Sequence, residues 1–216
     1  MKTRILPGES SSALQEAAEL LRTGETVAFP TDTVYGLGAH ALNAEAVQKI
    51  YEAKGRPSDK PLIILICDKK QLDTLAVHVP DSAQHLMDNF WPGPLTLVFK
   101  KQSDVVPDYV TRGMESVAVR MPDHPVALQL LQMAQVPVAA PSANLSGNPS
   151  PTDALQVQKE LDGRISAIVD GGICRVGVAS TILDMSGTNP VILRQGSITK
   201  GQLEQVLGIS VHVSSS

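Results

Sequence analysis

Five consecutive apolar residues, Leu62-Ile63-Ile64-Leu65-Ile66, constrain the architecture more than any other stretch. A strand with one wet face alternates apolar and polar residues, so an unbroken run predicts a strand buried on both faces, at the centre of an α/β sheet. Its surroundings agree. Upstream, Asn43 can cap a helix carrying Ala46, Val47, Ile50 and Tyr51, which Pro57 ends near Lys54-Gly55-Arg56. Further β-prone runs fall at 25–29, 95–99, 116–120, 165–169, 180–184 and 191–194, and Val136-Pro137-Val138-Ala139 is another. Helical spacing or start signals mark a first helix from Ser12 to about Leu21, then 68–76, 80–90, a helix starting at Pro125, one from Thr152 or Asp153 to Leu161, and 200–207. Strands and helices alternate irregularly and the last strands are closely spaced. The predicted class is therefore α/β, a twisted mixed parallel/antiparallel sheet flanked by helices. Without a repeat or composition break, a single domain over 1–216 is expected, with its core at about 10–208 and a short serine tail.

An apolar content of 43% fits a globular protein, and no apolar run reaches bilayer length. Lys2 and Arg4 lead into Pro7-Gly8-Glu9, not into the apolar core of a signal peptide, so a cytoplasmic protein with no membrane partner is expected. Cys67 and Cys174 lack metal-ligand spacing and read as free thiols, and no metal site from protein side chains is predicted. A net charge of −4 with three Tyr, three Phe and one Trp argues against a dedicated nucleic-acid binder.

The strands empty into polar loops, and chemistry is expected there. Thr31 and Thr33 follow the strand at 25–29; Lys54 and Arg56 precede the apolar run; Arg120 ends another strand; Ser142 and Asn144 open the loop 140–152; Ser180 and Arg194 lie near the last strands. Open α/β proteins bind ligands at such exits, and cations with hydroxyl and amide donors suit phosphate, ribose and carboxylate. Ser142 lacks a nucleophile elbow, Gly36-x-Gly38-x-x-Ala41 comes too late after its strand for a dinucleotide fingerprint, and no Walker loop is present. What remains is an anion site without an evident base, suited to nucleotide chemistry by positioning and charge stabilisation.

Pro30-Thr31-Asp32-Thr33-Val34-Tyr35-Gly36, Lys54-Gly55-Arg56 before Lys60-Pro61-Leu62, Trp91-Pro92-Gly93-Pro94-Leu95-Thr96, Arg120-Met121-Pro122, Ser142-Ala143-Asn144, Ser180-Thr181-Ile182 and Arg194-Gln195-Gly196 occur in this order. In this the chain resembles the YrdC-like L-threonylcarbamoyladenylate synthase family, in its short single-domain form. The resemblance implies a YrdC-like fold with a concave nucleotide-binding surface. It implies an enzyme, a nucleotidyltransferase that makes L-threonylcarbamoyl-AMP and pyrophosphate from L-threonine, bicarbonate or CO2 and ATP, with Mg2+ accompanying ATP. The product serves the t6A modification at position 37 of tRNA, so downstream t6A transferase proteins are implied partners and tRNA contact is weak or indirect. Residue by residue, it implies Lys54 and Arg56 as catalytic and ATP-binding, Ser142, Asn144 and Arg194 as further ATP contacts, and Thr31, Thr33, Thr96, Arg120 and Ser180 around threonine and carbamate. Arg120 is expected to grip the threonine carboxylate, since a guanidinium can hold two oxygens. Many members have His where this chain has Leu65. An RNA-binding or ribosome-maturation module without turnover is the alternative reading.

Overall fold

A computed structural model describes residues 2–57 and 59–214; Ser215 and Ser216 of the serine tail lie outside them. In chain order the strands are β1 (Arg4–Pro7), β2 (Val27–Phe29), β3 (Gly36–His40), β4 (Ile63–Leu65), β5 (Ala76–Val77), β6 (Leu95–Lys101), β7 (Ser116–Arg120), β8 (Val138–Ala139), β9 (Ala167–Asp170), β10 (Thr181–Asp184), β11 (Val191–Arg194) and β12 (His212–Val213). The helices are α1 (Ser11–Arg22), α2 (Ala44–Lys54), α3 (Leu72–Leu75), α4 (Asp81–Phe90), α5 (Asp108–Thr111), α6 (Pro125–Ala134), α7 (Ala154–Leu161) and α8 (Lys200–Leu207).

The strands form one sheet in the order β1-β9-β2-β3-β8-β4-β7-β6-β10-β11-β12, with β5 added against β6. It is mixed, as its irregular alternation predicts: β4 runs parallel to β7, β6 antiparallel to β7, and β10 antiparallel to β11. On one face α2, α4, α7 and α8 pack Val47, Ile50, Leu86, Val157 and Leu203 against Leu37, Ile64, Leu97, Val119 and Leu183. On the other, Leu14 and Leu21 of α1 and Leu130 and Leu131 of α6 pack against Phe29, Val138 and Val169. Each such side chain fully buried stabilises the fold by about 1.5–3 kcal/mol. These two helices lie over the β9-β2-β3-β8 part of the sheet, and a cleft opens beside them, on strands β4, β7, β6, β10 and β11.

The run 62–66 is buried on both faces, as its pattern predicts, with Ile63 alone half-buried, though its strand is shorter than the run. Only Ile63–Leu65 pair as strand. Ile64 is buried in the core under α2, whereas Ile63 and Leu65 face the cleft, with Ile63 half-buried. The run is apolar because one face packs under α2 and the other is shared between the α1/α6 core cluster and the wall of the cleft.

Caps explain the helix limits. Asn43 accepts the Ala46 N–H at 3.1 Å to start α2, and Gly55 closes it at φ 57°. Asp153 starts α7, and Ser10, not Ser12, starts α1. The expected helix over 68–76 is a 3-10 turn followed by α3 and then β5. Strand β3 is the main element unread in the sequence. Gly38 is needed there because a Cβ would stand 2.6 Å from the Phe29 ring, and its glycines hide the strand pattern.

Candidate active site

Strand register lays out the floor of the cleft. Leu65 pairs with Arg120, Leu97 with Val119, and Ile182 with both Thr96 and Arg194. Leu65, Arg120, Thr96, Ile182 and Arg194 therefore form one cross-strand row, largely polar. In the neighbouring row Ile63 pairs with Ala118, Ala118 with Val98, and Val98 with Asp184. The cleft encloses about 350 Å³. Seven of the ten expected site residues line it: Thr31, Thr33, Arg56, Arg120, Ser142, Ser180 and Arg194. Lys54, Asn144 and Thr96 do not.

Lys54, at the end of α2, turns into the protein and not into the cleft. Its side chain is 2% exposed, and its ammonium donates to the carbonyls of Ser142 and, at 2.6 Å, Asn144, with the Asn144 amide oxygen at 3.5 Å. The Lys54 carbonyl accepts the Ser146 N–H at 2.8 Å. Lys54 thus ties the end of α2 to the 142–146 loop. Burial first, and Arg56 second, push its pKa down to about 8. Asn144 turns its amide inward as well, donating to the carbonyls of Leu145 at 2.7 Å and Asn148 at 2.8 Å. Ser142, held by a bridge to Gly36, is the member of this loop pair that lines the cleft.

Arg120 is 5% exposed, and its fork is already engaged. Nε donates to the Gly93 carbonyl at 3.0 Å, Nη1 to the Thr33 hydroxyl at 2.8 Å, and Nη2 to Asp32 Oδ1. Two guanidinium N–H groups are left over, fewer than an unencumbered fork offers. Asp32 Oδ1 also accepts the Asp123 N–H at 3.0 Å, while Oδ2 is buried without a partner. Thr31 Oγ1 donates to the Val34 carbonyl at 2.7 Å and stands 3.0 Å from Thr33 Oγ1. A second chain runs from Thr96 Oγ1 to Ser180 Oγ at 2.8 Å and on to Arg194 Nη2 at 3.0 Å; Arg194 Nε also reaches the Ser180 carbonyl at 3.0 Å. Thr96 acts from beneath the floor, being fully buried.

The cations crowd one another. Burial, then Arg120 and Arg56, lowers the pKa of Arg194, and burial lowers that of Arg56, whose Nε has no partner. An anion entering the cleft relieves this repulsion, the arrangement expected for oxyanion binding.

Asp32 and Asp184 were missed as site residues. Asp32 lies between two expected threonines but shows its importance only through Arg120, 88 residues away. Asp184 ends an apolar strand and reads as a turn acid.

The Sua5/YciO/YrdC family model, described as "Telomere recombination", matches residues 19–196. The chain belongs to the Sua5/YciO/YrdC family. Among its members, a Bacillus subtilis (strain 168) protein named threonylcarbamoyl-AMP synthase is 56% identical over 200 residues, 93% of this chain and 58% of the relative. A Schizosaccharomyces pombe protein of the same name is 43% identical over 226 residues, covering 94% of this chain and 55% of the relative. The crystal structure of Pyrococcus abyssi Sua5 complexed with L-threonine superposes with a TM-score of 0.93 at 48% identity, over 98% of this chain and 63% of that one. This chain therefore spans little more than half the length of these curated Sua5/YciO/YrdC relatives.

Proposed function

We propose that this chain joins L-threonine, bicarbonate-derived CO2 and ATP into L-threonylcarbamoyl-AMP and pyrophosphate. The observation that carries the reading is the convergence of Arg56, Arg120 and Arg194 with the hydroxyls of Ser142 and Ser180 on one cleft. Relatives matching more than nine-tenths of the chain are named for this product, and a relative's structure is described as holding L-threonine.

In this reading the unprotonated threonine amine adds to CO2 and gives up one N–H proton to water, and an oxygen of the resulting carbamate attacks the α-phosphorus of ATP. The bond from the α-phosphorus to its bridging oxygen breaks, and pyrophosphate leaves. In-line displacement depends on alignment and on neutralising charge at the phosphoryl oxygens. Arg56 and Arg194 are the proposed phosphate contacts, with Ser142 donating alongside them. Lys54 and Asn144 serve by holding the Ser142 loop in place. Ser180, Thr33, Arg120 and Thr96 form the proposed threonine and carbamate end, where Arg120 contributes its two spare N–H groups and a field that Asp32 largely balances. Thr31 shapes this wall by fixing Val34 and Thr33. Mg2+ is proposed to arrive with ATP, held by phosphate oxygens and water, the usual habit of this ion; when bound it neutralises phosphate charge.

We further propose that the chain acts in the cytoplasm as one domain, that its product passes to t6A transferase proteins, and that tRNA contact is weak. No helix among the described residues is long and apolar enough to cross a membrane. The deciding experiment is pyrophosphate release from ATP with threonine and bicarbonate present together or omitted in turn. Release that requires both, with the adduct detected by mass spectrometry, is expected. RNA binding without any such release would favour the alternative.

A further inference from the structure

Among the described residues, Asp184 is the one acidic side chain on the cleft wall. Register sets it beside Val98, next to Ala118 and then Ile63, so it ends an otherwise apolar row. Its Oδ1 accepts the Ser186 N–H at 2.8 Å and the Ser186 hydroxyl at 2.6 Å, which fixes the plane of the carboxylate. Oδ2 makes no hydrogen bond to a described residue and is not among the sealed, unpartnered atoms, so it is open to a ligand. The ion pairs among the described residues leave Asp184 out, although three arginines line the same cleft.

A carboxylate only accepts hydrogen bonds, and it repels phosphate. The polyphosphate is drawn to the arginines. Arg194 and Ile182 share the polar row, and Asp184 follows two residues after Ile182, about 7 Å along the strand. A purine is a flat apolar body with polar edges, and Ile63, Ala118, Val98 and Ile182 offer it an apolar bed. The carboxylate at the end of that bed needs a donor facing it. Adenine supplies one in its exocyclic amine, whereas a 6-oxo purine turns an acceptor to the same place. The ribose hydroxyls also donate, but they lie close to the phosphates that Asp184 repels.

We propose that Asp184 reads the exocyclic amine of adenine, selecting ATP against 6-oxo purine nucleotides and fixing which way round the nucleotide lies. The inference rests on the proposed use of ATP and specifies the base-reading group of that same site.

Titration calorimetry of ATP, ITP and 2′-deoxy-ATP against the wild type, Asp184→Asn and Asp184→Ala tests it without requiring turnover. The wild type is expected to prefer ATP over ITP by roughly tenfold to a hundredfold. Asp184→Asn, which can turn an amide N–H toward the 6-oxo group, should level or reverse that ratio. Asp184→Ala should level it. The factor between ATP and 2′-deoxy-ATP should stay the same in all three proteins. An unchanged ATP to ITP ratio in both variants overturns the proposal. So does a ribose factor that collapses in the variants, or an unchanged ratio with a raised Mg2+ requirement for ATP binding. The synthase reading fails separately: wild-type protein that binds ATP selectively but releases no pyrophosphate with threonine and bicarbonate sinks that reading and leaves the base contact standing.

Discussion

Arg120 and Asp32 are 5% and 1% exposed, so each buried charge depends on the other. Breaking such a pair by removing one partner costs about 3–5 kcal/mol because the survivor is left uncompensated. Asp32→Asn keeps an oxygen for the Asp123 N–H and removes the charge. It is expected to lower unfolding stability by that amount in urea, and Asp32→Asn combined with Arg120→Met should lose less than the sum of the single variants. Strict additivity would deny the coupling. Lys54 makes a second prediction, in pH. Burial first and Arg56 second oppose its ammonium while the Glu160 charge favours it, and the balance lies at about 8, below the ordinary lysine value of 10.5. The folded state therefore releases this proton before the unfolded state does. The penalty is fully present below pH 8 and is relieved as pH rises from 8 to 10.5, the neutral amine still offering two N–H donors to the loop. Relative to Lys54→Gln, the wild type should gain stability across that window. A pH-independent difference between them would place the folded pKa at its ordinary value.

Among the elements, β11 and the turn after it carry the most consequence for the site. A Cβ on Gly196 would lie 2.4 Å from both the Ala179 carbonyl and the Thr181 nitrogen, which are backbone and cannot swing aside. Gly196→Ala is expected to push β11 from β10, break the Ser180–Arg194 contacts and cost about 1–3 kcal/mol. ATP affinity should fall with stability; wild-type values of both would show that the turn yields freely. The same region shows what the sequence can disclose. The limits of β7, β11 and α8 agree with the run or capping pattern that predicts them, because each is bounded by Pro, Gly or a capping residue. Strand β3 was hidden by its glycines, and β1 and β12 are short edge strands defined by their partners. For the candidate site, the polar strand exits were legible as a group, and seven of the ten residues expected there line one cleft. Which way a side chain turns was not: Lys54 and Asn144 spend their donors on backbone carbonyls brought close only by folding.

At the scale of the whole molecule, a net charge of −4 sets a weak and repulsive field for polyanions beyond the cleft. Product formation is therefore expected to proceed without tRNA, and any tRNA affinity of the chain should be weak and fall steeply with salt. An absolute tRNA requirement for pyrophosphate release would reverse this. The cleft owes its existence to a sheet wider than the pair α1 and α6 that lies over one side. A binding surface made of bare strands is ruled like graph paper: its lines are spaced by interstrand hydrogen bonds at about 4.8 Å, and only alternate side chains rise from it. Such a surface can change what it recognises one square at a time, by exchanging a side chain at a fixed grid point, while the spacing between points stays locked by the ladder. Families built on this plan should diversify their substrates by swapping the residues at 63, 65, 98, 118 and 184, without rebuilding a loop.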